Sequence, residues 1–556
     1  MEQFQACSKL RYGPLMARLR GAIRWAQLAH RAGELNTALT AYKDAIRLLP
    51  QAAWIGQSVS SRSHILATHP ATLATDAAAC AIQKKAFPRA VELLEAGRTI
   101  FWMQALRLHT DVTDLGKIDP GLAHDLEITA MELEPGTFED SLHNQGHARL
   151  TNDPEQRAQH HRRLAASERW EELVGKVQQL PGWEDFLKPQ KFPDLQKAAL
   201  CGPVIIANAS SHRCDALIVF GDRPLVHVPL PNASFDELAN LARHMEPNSI
   251  DSLDAALRTL WKSVISPISQ QLCPETQRVW WCPTGPLTFL PLHMAGSSRG
   301  ALKSSTANII PSYTINLGTL IRARQPRSVI PTPRKLLVVG VAGAPGLPTL
   351  PGVNKEIQVI IENAAQRGID ATILSNEHAT TTQVCDNLPI AGWVHFACHG
   401  SSGSKPFNSS LHLFDHRLLL ADIARIRLPI ADFTFLSACQ TASGLMDLPE
   451  ESLHLAAGFQ FAGFRSIIAT MWSIYDHMGA HVANVLYKRL LEGKILDSSK
   501  AAEALDFTVR HFAAISEDRL SESGGPRAAE LFDFLSRKEE DAIVDGRLIP
   551  FVHFGI

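Results

Sequence analysis

Long apolar runs are missing from this sequence. No stretch approaches the roughly 18 apolar residues a membrane span needs, and the opening MEQFQACSKLRYGPLMARLR has no continuous apolar segment of the kind a secretory leader carries. A soluble chain without a membrane partner is expected. An excess of one charge is missing too: 54 Lys and Arg stand against 56 Asp and Glu, a net charge of -2. That balance gives no electrostatic footprint for nucleic acid. The cysteines lack the pairing of a disulfide framework or a zinc site: Cys7, Cys80, Cys201, Cys214, Cys273, Cys282, Cys385, Cys398 and Cys439 are nine, odd in number and scattered, with no Cys-x2-Cys. Reduced thiols in the cytoplasm are expected, and no structural metal.

What is present divides by pattern, and 556 residues predict two or three domains. Residues 21 to 50 place Trp25 and Ala26 on one helix, and Ala38, Tyr42, Ala45 and Pro50 on a second, at the offsets of a tetratricopeptide repeat. A second, degenerate pass puts Ala78, Ala90, Leu94 and Gly97 at the same offsets, with Trp102 where the closing proline would fall. Since about three stacked repeats are usually needed for stability, two imply the tail of a longer array or helices capped by the domain that follows, the alternative being an ordinary helical domain. Residues 1–195 are therefore read as an all-α, degenerate repeat segment that recruits a protein partner. From about residue 200 the pattern turns to short apolar runs broken by Gly, Pro, Asp and Asn: GPVIIANAS, CDALIVFG, RVWWCPTG, KLLVVGVAG, WVHFACHG, FTFLSACQT and RSIIATMW. Helical segments such as GVNKEIQVIIENAAQRG separate several of them. Strands buried on both faces and joined by helices predict an α/β fold with a mainly parallel sheet.

In such sheets chemistry gathers at the carboxyl ends of strands. WVHFAC runs into His399-Gly400, and FTFLSA runs into Cys439-Gln440-Thr441. A thiol attacks a carbonyl as thiolate, so it needs a base, and an imidazole from a neighbouring strand end can take its proton and later protonate a leaving amine. Gly400, without a Cβ, lets a substrate carbonyl approach a backbone N–H, which with the N–H of Cys439 would form an oxyanion hole. Taken singly, each residue is better read as a buried core cysteine or a hydrogen-bonded histidine. A metal set of His395, Cys398, His399 and Cys439 is disfavoured, because His395 and His399 share one strand face while Cys398 points to the other. Asp476 either lines a substrate pocket, where it would favour a basic side chain, or caps a loop. Glu356 reads as a carboxylate in the first turn of a helix, Asp415 as a hairpin turn, and the acidic LMDLPEES after Cys439 as a specificity or activation loop.

As an ordered set, the runs LPGVNKEIQVIIENAAQRG, WVHFACHG, SSLHLFDHRLLLADI, FTFLSACQTA and LAAGFQFAGFRSIIATMWSIYD, with the upstream WWCPTGPLTFLPLHMAG and the closing PFVHFGI, resemble a CHAT domain. This is the caspase-like domain associated with tetratricopeptide repeats, and the layout is similar to fungal TPR-CHAT proteins. The resemblance covers most of residues 200 to 556, with residues 196–330 as the N-terminal part of the domain and 331–556 as its caspase-like core. It implies a cysteine endopeptidase of caspase or separase type, acting on a protein or peptide substrate without a cofactor, with His399 and Cys439 as the dyad. The 40 residues between them compare with roughly 50 in caspases. It also leaves open a non-catalytic scaffold, or a signalling component of a cell-death or conflict pathway. The stretch Ser521 to Gly546 departs from the family pattern.

Overall fold

All five residues of Trp393–Ala397 and all five of Phe433–Ser437 are buried, which fixes both as interior strands covered on two sides. In the computed structural model they lie at the heart of an 11-stranded sheet. The structure describes residues 1–10, 13–54, 56–68, 71–134, 138, 154–245, 249–295, 309–326, 335–492, 496–522 and 550–556; most of the divergent stretch Ser521 to Gly546 lies outside them.

The first strands are β1 (Val204–Ala209), β2 (Cys214–Val219), β3 (Val226–Pro229), β4 (Arg278–Pro283) and β5 (Ile310–Tyr313). Then come β6 (Leu336–Gly340), β7 (Ala371–Ser375) and β8 (Trp393–Ala397), and a small hairpin sheet of β9 (Gly400–Ser401), β10 (Ser410–His412) and β11 (Arg417–Leu419). β12 (Phe433–Ser437), β13 (Ser466–Thr470) and β14 (Phe551–Gly555) complete the set. The large sheet runs β3-β2-β1-β4-β5-β14-β13-β12-β8-β6-β7. Its β2–β3, β1–β2 and β13–β14 pairs are antiparallel and the rest parallel. This is the mainly parallel α/β fold the apolar runs predict.

Alternation along the strands builds two cores. Leu336, Val338, Trp393, Phe433, Phe435 and Ile468 face the paired helices Gly352–Ala365 and Asp476–Leu490. Their alternating neighbours Leu337, Val394, Phe396 and Leu436 face the other way, toward helices Leu420–Arg425 and Leu455–Ala462. Each large side chain sealed this way contributes roughly 1.5–3 kcal/mol of burial.

The N-terminal segment forms helical hairpins: Leu15–Arg31 with Leu35–Ala52, and Leu73–Gln83 with Phe87–Gly97. The positions that carry the repeat reading, Trp25, Ala38, Tyr42, Ala45, Ala78, Ala90 and Leu94, are buried. Their core merges with that of the α/β sheet, and polar contacts seal the junction. Ser210 Oγ donates to Asp76 at 2.6 Å, and the Glu95 carboxylate accepts the N–H groups of Leu317 and Gly318, where the positive end of a helix favours it. The α/β domain thus packs against these helices. β14 lies between β13 and β5. Its His553 bridges Ser466 Oγ at 2.7 Å and Ser312 Oγ at 2.9 Å, and Trp280 Nε1–H donates to the Gly555 carbonyl at 2.6 Å.

Candidate active site

The parallel register pairs Ala397 of β8 with Ser437 of β12. His399 and Cys439 each follow two residues later, so both leave adjacent strands at the same level, beyond the carboxyl ends. The 40-residue spacing is the register itself. Both residues are half-buried, while Cys398 between the strand and His399 is buried and faces the opposite core. Burial pushes the Cys398 thiol up to about 12, which leaves it inert at neutral pH.

His399 is held from two sides. Its carbonyl accepts the His412 N–H at 2.9 Å, and its Nε2 lies 2.8 Å from the Pro348 carbonyl oxygen. A carbonyl only accepts, so Nε2 carries a proton and Nδ1 is the nitrogen free to receive one. Around Cys439 the chain is bent and tied down. Gln440 has a φ of +57°, uncommon for a residue with a side chain, and its Oε1 accepts Ser402 Oγ–H at 2.8 Å. The Thr441 and Ala442 N–H groups donate to Thr470 Oγ1 and carbonyl, and Thr470 Oγ1 donates to the Ala438 carbonyl. No described acceptor takes the Cys439 N–H. Gly400 lies directly on this peptide: a Cβ there would stand 2.5 Å from the Cys439 carbonyl oxygen and 3.1 Å from its nitrogen.

Asp476 is the first residue of its helix, and its Oδ2 accepts the Gly352 N–H at 2.6 Å, at the start of the packed neighbour helix. It is not among the residues of the cleft beside His399. Glu356 sits deeper than a first-turn reading implies: the helix begins at Gly352, and the carboxylate is buried 3.0 Å from His395 Nε2, whose Nδ1 lies 3.2 Å from Tyr487 OH. His395 is thereby engaged in the core. Among the described residues no group of three or more His, Cys, Asp or Glu could hold a metal ion, and no helix is long and apolar enough to cross a membrane.

The acidic loop after Cys439 differs most from its reading. Glu450 and Glu451 are buried, because the helical segment supplies partners that solvent would otherwise provide. Arg98 forms an ion pair with Glu450 and donates to the Pro283 carbonyl at 2.8 Å. Glu450 Oε1 accepts the Gly285 N–H at 2.6 Å, and its carbonyl accepts the Thr99 N–H at 2.8 Å. Glu451 Oε2 accepts the Phe101 N–H at 3.0 Å, and Trp102 Nε1–H donates to the Ser452 carbonyl at 3.2 Å. No local sequence signal marks this clamp, since its halves lie some 350 residues apart.

Burial raises the Glu451 carboxyl to about 7, against the opposing pull of the Phe101 N–H and Arg62. In the unfolded chain a Glu titrates near 4.3. Between those values the folded protein keeps a proton that the unfolded chain has lost, so this group's stabilisation is complete below pH of about 4.3 and fades as pH rises toward 7. Glu451→Gln is expected to remove that slope, gaining on the order of 3 kcal/mol over the parent above pH 7 and little near pH 4. Melting temperature against pH checks this; parallel profiles would refute it.

The fold is an α/β domain, with the strand-end pair at its centre, joined to a helical segment. Residues 254–513, just under half of the chain, match the family model of the CHAT domain. β1–β3 and β14 lie outside the matched residues but in the same sheet. Among solved structures, the chain is similar to a separase-securin complex of Saccharomyces cerevisiae, at 9% identity over 98% of this chain and 45% of that one, with a TM-score of 0.43. A second separase-securin structure gives 9%, 98%, 44% and 0.42. The complex of the pro- and mature domains of RgpB from Porphyromonas gingivalis matches at 11% identity over 58% of this chain and 71% of that one, with a TM-score of 0.33. The chain spans less than half the length of the separase chains it matches. No curated protein matches it.

Proposed function

We propose that this chain is a cysteine endopeptidase in which Cys439 is the nucleophile and His399 the base. The observation that carries the reading is the register that brings both residues out of adjacent parallel strands at one level, with Gly400 packed on the Cys439 peptide. In this mechanism His399 Nδ1 takes the thiol proton and Cys439 Sγ attacks the scissile carbonyl. The Gly400 and Cys439 N–H groups hold the oxyanion of the tetrahedral intermediate. His399 returns the proton to the leaving amine, and water then hydrolyses the thioester and restores the thiol. All groups come from the chain, and no cofactor takes part.

Residues 1–195 are read as degenerate repeats that bring in a protein partner or substrate, 196–330 and 331–556 as the two parts of the catalytic domain. Nine free cysteines fit a cytoplasmic setting, where thiols stay reduced.

An electrophilic peptide probe in reducing buffer is expected to label the wild type and not Cys439→Ala. In parallel, profiling of new N-termini in a reduced cell extract is expected to show cuts that depend on Cys439. Equal labelling of the two proteins would sink the peptidase reading, and absence of both labelling and cuts would favour an interaction scaffold.

A further inference from the structure

A cleft of about 570 Å3 opens beside His399 and Gly400. It runs between the Ser401-Ser402 turn and the β10–β11 hairpin, which contributes His412 and Arg417. Among the described residues no Asp or Glu lines it. Arg417 is exposed and has no carboxylate partner among the described residues. The acids that flank it in sequence have other partners: Asp415 accepts the Thr381 and His416 N–H groups, each at 2.8 Å, and Asp422 accepts the Leu419 N–H and pairs with Arg425 at 3.7 Å. His412 hydrogen-bonds Ser401 Oγ at 3.0 Å. Burial, Arg417 and His399 hold its imidazole below the usual range, and Arg417 is the one Arg or Lys among the described residues that line the cleft.

The direction of the substrate follows from the chemistry. His399 must reach the leaving amine, so the chain after the scissile bond starts at His399 and continues on the side away from Cys439, which does not line the cleft. We propose that this cleft receives the residues following the scissile bond, and that Arg417 selects an anionic side chain there, a carboxylate or a phosphoserine. The inference rests on the peptidase reading for its orientation, and the test separates the two.

Cys439→Ala protein, which cannot turn substrate over, is incubated with random peptides carrying one fixed Glu, phosphoserine, Gln or Lys, and the retained peptides are sequenced. Retention of Glu or phosphoserine peptides over Gln is expected at roughly three- to fivefold, the factor an exposed charge pair supplies. In Cys439→Ala with Arg417→Glu the order should invert toward Lys. Phosphoserine far above Glu would assign phosphate as the anion, and parity would assign a carboxylate; equal retention of all four, or none, overturns the proposal. In the wild type, acidic residues should be enriched just after the Cys439-dependent cuts. Equal probe labelling of wild type and Cys439→Ala sinks the peptidase reading alone, with retention still deciding what the cleft binds.

Discussion

Gly400→Ala should lower the rate of Cys439 labelling by a peptide electrophile at least about 100-fold, the scale on which one misplaced oxyanion donor is felt. The reason is steric: the new methyl would stand 2.5 Å from the Cys439 carbonyl oxygen and 3.1 Å from its nitrogen, with the Ala438 Cβ at 3.2 Å. Backbone cannot yield cheaply here, because the Cys439 side is tied to β13 through Thr470 and the Gly400 side through the hairpin. The two strand ends must separate, and the base and the two N–H groups move off the thiol together. Melting temperature should fall by a few degrees while the circular dichroism stays that of the parent. Labelling at the parent rate would show that these strand ends do not act as a unit.

Arg98→Met should cost about 3–5 kcal/mol of stability, the scale seen when one member of a buried ion pair is removed. The Glu450 carboxylate would stay buried with the Gly285 N–H as its remaining close donor, and unpaired burial of a charge is what makes such losses large. Adding Glu450→Gln should recover much of the loss, since the amide oxygen can still accept from Gly285 and no charge remains. Denaturant unfolding of the two single variants and the double variant measures the coupling. A loss under about 1 kcal/mol for Arg98→Met would mean that the pair is solvated in solution.

Much of the sheet is legible because interior parallel strands announce themselves as unbroken apolar runs, and the strand-end histidine and cysteine stand out against them. The register could be anticipated only as a spacing. What stays hidden has a common physical character: it depends on partners far away in sequence. Arg98 reads as an ordinary charge at a helix end until Glu450 is brought to it. The pair Glu450-Glu451 reads as part of a flexible specificity or activation loop for the same reason, and Glu356 as a helix-start carboxylate until His395 is seen behind it. The φ of Gln440 has no signature in Cys-Gln-Thr, since the turn is imposed by the strands on either side. Asp476 could be read from sequence as lining a pocket or capping a loop, and its Oδ2 accepts the Gly352 N–H of a helix far away in sequence.

The position of β14 sets an order of assembly. Its neighbours in the sheet are residues 313 and 466–470, so on a ribosome the β1–β5 flank and the β6–β13 flank are both synthesised before the strand that joins them. Each flank can collapse on its own helices early, whereas the joint waits on contacts of very large sequence separation, the kind that closes slowly. Until then the exposed edges of β5 and β13 are the chain's chief aggregation hazard, and the last strand to arrive acts as keystone and edge guard together.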